Sequence, residues 1–129
     1  MDNNNKQNDE MYTFRYKKPG ASNKKENHPR LVVDEVENNY VNMVLTHGDT
    51  RPDKNGKITN KRYMPLNQNP NPRDGRKAYL KKQLQYDKKG RFTKPIKNYT
   101  LSDEDKEKVE NYKNKRIDKI KEKIRNQDK

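Results

Sequence analysis

His28 and His47 are the only two histidines in the 129 residues, and each stands at one end of an apolar run. Leu31-Val32-Val33 follows the first, and Tyr40 to Thr46 leads into the second. With Arg30 and Thr46 nearby, these side chains supply the parts that metal-free cleavage of RNA demands. That reaction takes a base for the 2′-hydroxyl proton, an acid for the departing 5′-oxygen and a cation at the scissile phosphate. His28, Arg30, Thr46 and His47 are therefore the catalytic candidates. The plain alternative is a pair of exposed strand-end histidines without a chemical role. Other chemistries lack their residues. Five scattered glycines make no phosphate-cradling loop, there is no His-Glu-x-x-His motif, and without cysteine there are no thiolate nucleophiles, thiolate metal sites or disulfides. Two histidines are too few for a multi-histidine centre, so no metal and no cofactor are expected. Asp34, Glu35 and Glu37 offer oxygen ligands but read as solvated strand-end charges.

The charge points to a phosphate-bearing ligand. Lys and Arg number 32 against 19 Asp and Glu, a net +13. Residues 51–97 hold fifteen basic side chains against Asp53, Asp74 and Asp87, net +12, whereas residues 28–50 are net −3. A general bias toward lysine would raise the charge everywhere and does not explain this concentration. A local positive field attracts polyanions, and counterion release from a phosphate backbone supplies most non-specific nucleic-acid affinity. Nucleic acid, RNA rather than DNA, is the expected partner, with a merely solvated surface or an acidic protein as the alternatives. The binding candidates are Arg51, Lys61 and Arg62, then Arg73 and Arg76, then Lys77, Tyr79 and Lys81, and finally Lys88, Lys89 and Arg91. Tyr63 and Tyr79 stand among these cations, where an exposed ring stacks a base for about 1–3 kcal/mol; the same rings also suit a core. No apolar run nears the roughly 18 residues of a membrane span, and no segment pairs a basic face with a broad apolar one. The first residues lead into no apolar segment, so a secretory signal is not expected and a cytoplasmic protein is.

Only 19 residues are Leu, Ile, Val or Phe, so any core is small and leans on eight Tyr and four Met. Residues 1–10 read as a disordered leader. Tyr12, Phe14 and Tyr16 alternate as in a half-buried strand. Leu31–Val33, extended by Val36, and Tyr40–Thr46 read as a hairpin across Glu37-Asn38-Asn39, where asparagine tolerates left-handed backbone. In such a hairpin the start of one strand lies beside the end of the next, which brings His28 and His47 together. Residues 51–56 form a turn cluster; Ile58 and Tyr63–Leu66 suggest short strands, with Pro65 at an edge. Asn67 to Gly75 is a turn-rich loop. From Lys77 to Tyr86 a period of two predicts one strand, with Lys77, Tyr79, Lys81, Gln83 and Gln85 outward. Arg91-Phe92-Thr93 is expected to return as its hairpin partner. Ser102 and Asp105 have the form of a capping box, and Val109, Tyr112, Ile117, Ile120 and Ile124 make a narrow stripe on a helix over 103–125. The first half of that helix is expected to pack and its last turns to project or fray.

These elements describe a mainly β fold with a C-terminal α-helix. Its expected form is a small SH3-like or OB-like barrel over residues 11–101, followed by the helix and tail over 102–129. His28-Pro29-Arg30-Leu31-Val32-Val33 resembles the opening of the MazF/PemK-like toxins, and Val44-Leu45-Thr46-His47 resembles that family's second strand, which ends in Thr-Ser. Ala78 to Gln85, Arg91-Phe92 and the Leu-Ser-Asp-Glu-Asp start of the helix follow the family's order of elements. The resemblance implies an SH3-like barrel that forms a homodimer and grips single-stranded RNA, with cleavage in toxic members. His28 stands where the family has its catalytic Arg, and His47 where it has Ser. Three function classes follow: a nucleic-acid-binding barrel, an active metal-free endoribonuclease of a toxin–antitoxin pair, or a non-enzymatic accessory factor of a phage or plasmid.

Overall fold

Five valines and Tyr40 among residues 31–45 favour the central hairpin, as β-branched and aromatic side chains do. The computed structural model describes residues 11–18, 28–47, 54–55 and 62–127. Strands β1 (Phe14–Arg15), β2 (Arg30–Val36), β3 (Asn39–Thr46), β4 (Tyr63–Pro65), β5 (Tyr79–Lys81) and β6 (Gln85–Lys88) precede a 3-10 turn (Lys89–Arg91) and one helix, α1 (Asp103–Gln127). The order is β1-β2-β3-β5-β4, all antiparallel, with β6 also on β3. The leader expected at 1–10 lies outside the described residues, as do Ile58 and most of the 51–56 turn cluster.

The hairpin turns on two residues, and Glu37 rather than an asparagine takes the left-handed conformation, with φ 56°. A bulge between Val32 and Asp34 shifts the register of β2. It re-phases the side chains, so the core takes Leu31 and Val33 and then Val36, three positions on. β3 is buried along nearly its whole length because both faces are covered. Val41, Met43 and Leu45 face the main core. Tyr40 lies on the other face with Val32 and Phe92, its ring edge-on to Phe92 at 5.3 Å. Arg30 and Asn42 are also buried there, the Arg30 guanidinium donating to Asn42 Oδ1 at 2.9 Å and to Gln85 Oε1. Asn42 Nδ2 reaches the Gln85 carbonyl and Asp87 Oδ2, both at 3.3 Å, and Lys17 pairs with Asp87 at 2.9 Å.

Three expectations are corrected. The strand predicted across 77–86 is broken. β5 pairs with the C-terminal half of β3 and β6 with its N-terminal half, joined by a tight turn in which Gln83 N–H bonds the Lys81 carbonyl. Gln85 consequently turns inward, where Arg30 supplies the donor that compensates its burial. Phe92 does not fold back on β6 but bridges Lys17, and hydrogen bonds from Thr93 to the Tyr16 carbonyl and Ile96 to the Phe14 carbonyl tie this segment to β1. Those bonds bring the two ends of the sheet toward each other without a continuous ladder, so the sheet is open. The helix packs along its length: Ile117, Ile120 and Ile124 belong to the same core cluster as Val109, and Ile124 is 1% exposed. Charged residues widen its narrow apolar stripe. Lys113 is buried and donates to the Val33 carbonyl (3.3 Å) and to the Tyr12 hydroxyl (3.4 Å), which itself bonds Glu110. Among the described residues no helix is long and apolar enough to cross a membrane.

Candidate functional site

The β2–β3 ladder runs one step beyond Arg30 and Val44, where Leu45 N–H donates to the Pro29 carbonyl at 2.8 Å. That bond sets His28 beside Thr46, as antiparallel pairing predicts. On the other side of β3, Thr46 pairs with Tyr79, which brings the chain just before β5 up to His47. Arg76 extends from that segment, its NH2 group 2.9 Å from His47 Nε2. The guanidinium also grips Asp74 with two bonds, Nε to Oδ1 at 3.0 Å and NH2 to Oδ2 at 2.9 Å. Asp74 Oδ2 lies 3.3 Å from His47 Nε2.

The loop carrying these groups is shaped by its own amides, the Asn-rich turn chemistry legible in its sequence. Asn69 Oδ1 accepts the Asn71 N–H, Asn71 Oδ1 accepts the Arg73 N–H, and Asp74 Oδ1 accepts the Arg76 N–H, at 2.9, 3.0 and 3.0 Å. Asn69 Nδ2 closes the loop on the Arg76 carbonyl at 2.9 Å. Together with Tyr16 and Tyr99 the loop encloses a cleft of about 240 Å³ over His28, Thr46 and His47. Tyr99 is fixed by its tilted contact with Phe14, centroids 5.8 Å apart. Burial, and then the neighbouring Tyr16 phenol, push the Tyr99 hydroxyl above its ordinary pKa, so it keeps a proton to donate at neutral pH.

His47 Nε2 lies within reach of both a donor and an acceptor and serves one at a time. With the proton on Nδ1 it accepts from Arg76; with the proton on Nε2 it donates to Asp74. Nδ1 is buried without a hydrogen-bond partner among the described residues. Each arrangement leaves a polar group unmet, at about 1–3 kcal/mol. The hydrogen bonds from the Arg76 side chain and backbone hold the Asp74 carboxyl well below the usual carboxylate range. Because its folded-state pKa is depressed, its contribution to stability is complete above the unfolded value of about 3.9 and fades as pH falls toward the folded value. An Asp74→Asn variant is therefore expected to lose less of its melting temperature than the parent between pH 4 and pH 2. Parallel loss in the two proteins, followed by circular dichroism, contradicts the pairing.

Of the catalytic candidates, His28, Thr46 and His47 line this cleft, and Arg30 does not. Arg30 is 6% exposed and stands two residues further along the hairpin than His28, its guanidinium held by Asn42 and Gln85 instead of reaching the cleft. The binding candidates divide. Arg51 and Lys61 lie outside the described residues. Arg73, Arg76 and Lys77 are exposed at the cleft end of β3, Arg62 and Lys81 are exposed nearby on the β4–β5 edge, and Tyr79 is half-buried edge-on to Tyr63 at 6.3 Å. Lys88, Lys89 and Arg91 gather at the other end of β3, roughly 24 Å away by strand rise. There Lys89 is occupied by Glu35 and by the Tyr40 ring at 5.7 Å. The basic segment thus makes two patches at opposite ends of one strand.

Asp74, Asn69, Asn71, Tyr16 and Tyr99 are cleft residues absent from the sequence-derived candidates. The Asp-Gly-Arg spacing around Gly75 was the available signal, since a carboxylate two residues before an arginine pairs readily across a tight turn. Among the described residues no three His, Asp or Glu side chains gather as metal ligands. Compared with protein-family models, curated proteins and solved structures, the chain matches none.

Proposed function

We propose that this protein is a nucleic-acid-binding protein that takes single-stranded RNA at the cleft end of β3. The carrying observation is the cleft itself: polar and aromatic groups line it, and the exposed Arg73, Lys77 and Lys81 of the segments leading away from it have no ion-pair partner among the described residues. An open, phosphate-attracting margin around stacking rings is the arrangement by which single strands are gripped without base pairing. The SH3-like barrel belongs to the same reading, supported by the bonds that draw the Phe92–Ile96 segment onto β1, and the likeness to MazF/PemK toxins rests on the His28–Val33 and Val44–His47 sequence patterns alone.

Lys77→Glu with Lys81→Glu is expected to weaken binding of a ten-nucleotide RNA about tenfold at 50 mM salt. It should also lower the slope of log affinity against log salt by about 1.4, two contacts at roughly 0.7 each. A titration in which parent and variant coincide at every salt concentration removes this function.

A second reading, metal-free cleavage, draws on the convergence of His28, Thr46, His47 and Arg76. In it, His47 takes the 2′-hydroxyl proton, His28 gives one to the departing 5′-oxygen, and Arg76 faces the developing charge at phosphorus. Cleavage of a mixed RNA in EDTA that is abolished by His47→Ala supports it, and intact RNA in both EDTA and magnesium eliminates it.

A further inference from the structure

The cleft does not end at Tyr99. On the far side of Tyr99 and Asn71, which wall both spaces, a second compartment of about 250 Å³ is lined by Arg73, Lys97 and Asn98. The two compartments are similar in size and opposite in electrostatic character. In the first, Arg76 is already neutralised by the bidentate Asp74, and an anion entering there meets that carboxylate. What remains is a set of neutral donors and acceptors, with Tyr16, 36% exposed, as an aromatic wall. In the second, two cations face the space with no acidic residue in its lining.

We infer that the groove holds one nucleotide unit of a single strand across both compartments, the phosphate between Arg73 and Lys97 and the base in the His28–His47 cleft. This assignment rests on the nucleic-acid reading and reverses the simplest version of it, in which the histidines sit against phosphate. Like-charge juxtaposition with Asp74 disfavours phosphate in the first space, and Arg73 and Lys97 favour it in the second. Beyond the loop bonds they make, the Asn69 and Asn71 amides each keep a second oxygen lone pair and a further N–H, which suit the edge of a base with its donors and acceptors. The rings suit its face.

The test uses the full chain, backbone-amide NMR and four probes: inorganic phosphate, uridine, uridine 5′-monophosphate and a ten-nucleotide RNA. Phosphate is expected to shift the Arg73, Lys97 and Asn98 amides, and uridine those of Thr46 and His47. The monophosphate is expected to bind about tenfold more tightly than uridine, as one charge-assisted hydrogen bond provides. That advantage should vanish in the exposed double variant Arg73→Ala, Lys97→Ala. In Asp74→Asn, phosphate should begin to shift His47. The inference is overturned if phosphate moves Thr46 and His47 in the parent while leaving Lys97 unmoved, or if the double variant keeps the tenfold advantage. RNA bound equally by parent and double variant overturns this assignment and leaves the proposed function standing. RNA bound by neither overturns both.

Discussion

A chain that stops at Arg116 is expected not to fold. The deletion takes Ile117, Ile120 and Ile124 out of the main core, where they are 7%, 8% and 1% exposed. Losing one buried isoleucine side chain costs about 2–5 kcal/mol, so losing three rivals the total stability of a small domain, about 5–15 kcal/mol. The milder Ile124→Ala is expected to lose about 3 kcal/mol, or roughly 12–24 °C of melting temperature in a domain of this size. Thermal melts followed by circular dichroism read both. If the last turns only project into solvent, the truncated chain and Ile124→Ala will melt with the parent. The core is poor in aliphatic residues, so each one the helix contributes carries a large share of the burial. That is why a segment whose sequence looks almost wholly charged governs stability.

Asp105→Ala is expected to cost about 3 kcal/mol and to weaken RNA binding as well. Ser102 Oγ accepts the Asp105 N–H at 3.2 Å, which is half of the expected capping box. The other half is diverted. The Asp105 carboxylate, fully buried, accepts the N–H groups of Asn67 and Gln68 at 2.7 and 3.2 Å and lies 3.5 Å from Lys108 Nζ. Lys108 then reaches the Pro65 carbonyl at 3.0 Å, so the helix start is stitched to the loop that leads into Asn69, Asp74 and Arg76. Truncation leaves two backbone donors without an acceptor, at about 1–3 kcal/mol each. Because the freed loop forms the cleft wall, RNA affinity should fall in Asp105→Ala at temperatures where the protein is still folded. Ile124→Ala, remote from the cleft, should bind as the parent does under the same conditions. Equal RNA affinity in Asp105→Ala and the parent contradicts the link from helix cap to cleft, and an unchanged melting point contradicts the cap itself.

The local pattern was enough to read the hairpin of Leu31–Val36 and Tyr40–Thr46, the edge position of Pro65 and the start of the helix at Ser102. Each rests on interactions within a few residues: alternation, a turn, a cap. The same logic brought His28, Thr46 and His47 to one end of the sheet, because antiparallel pairing alone requires it. Arg30 was beyond that logic. It stands two positions from His28, so alternation alone sets both on one face, and its turn away from the cleft was settled by Asn42 and by Gln85 on a distant strand. The positive surface was also beyond it, since a 47-residue basic stretch says nothing about which end of β3 each cation reaches. Asp105 and Lys113 look like solvent-facing charges in the helix sequence, yet both are buried because loop amides and the Val33 carbonyl meet them. The sequence by itself determined the central hairpin, the terminal helix and the end of the sheet where the two histidines line one cleft. The tertiary structure alone decided which charges are spent on one another and which face open space, because those pairings join residues tens of positions apart and have no signature in any short stretch of chain.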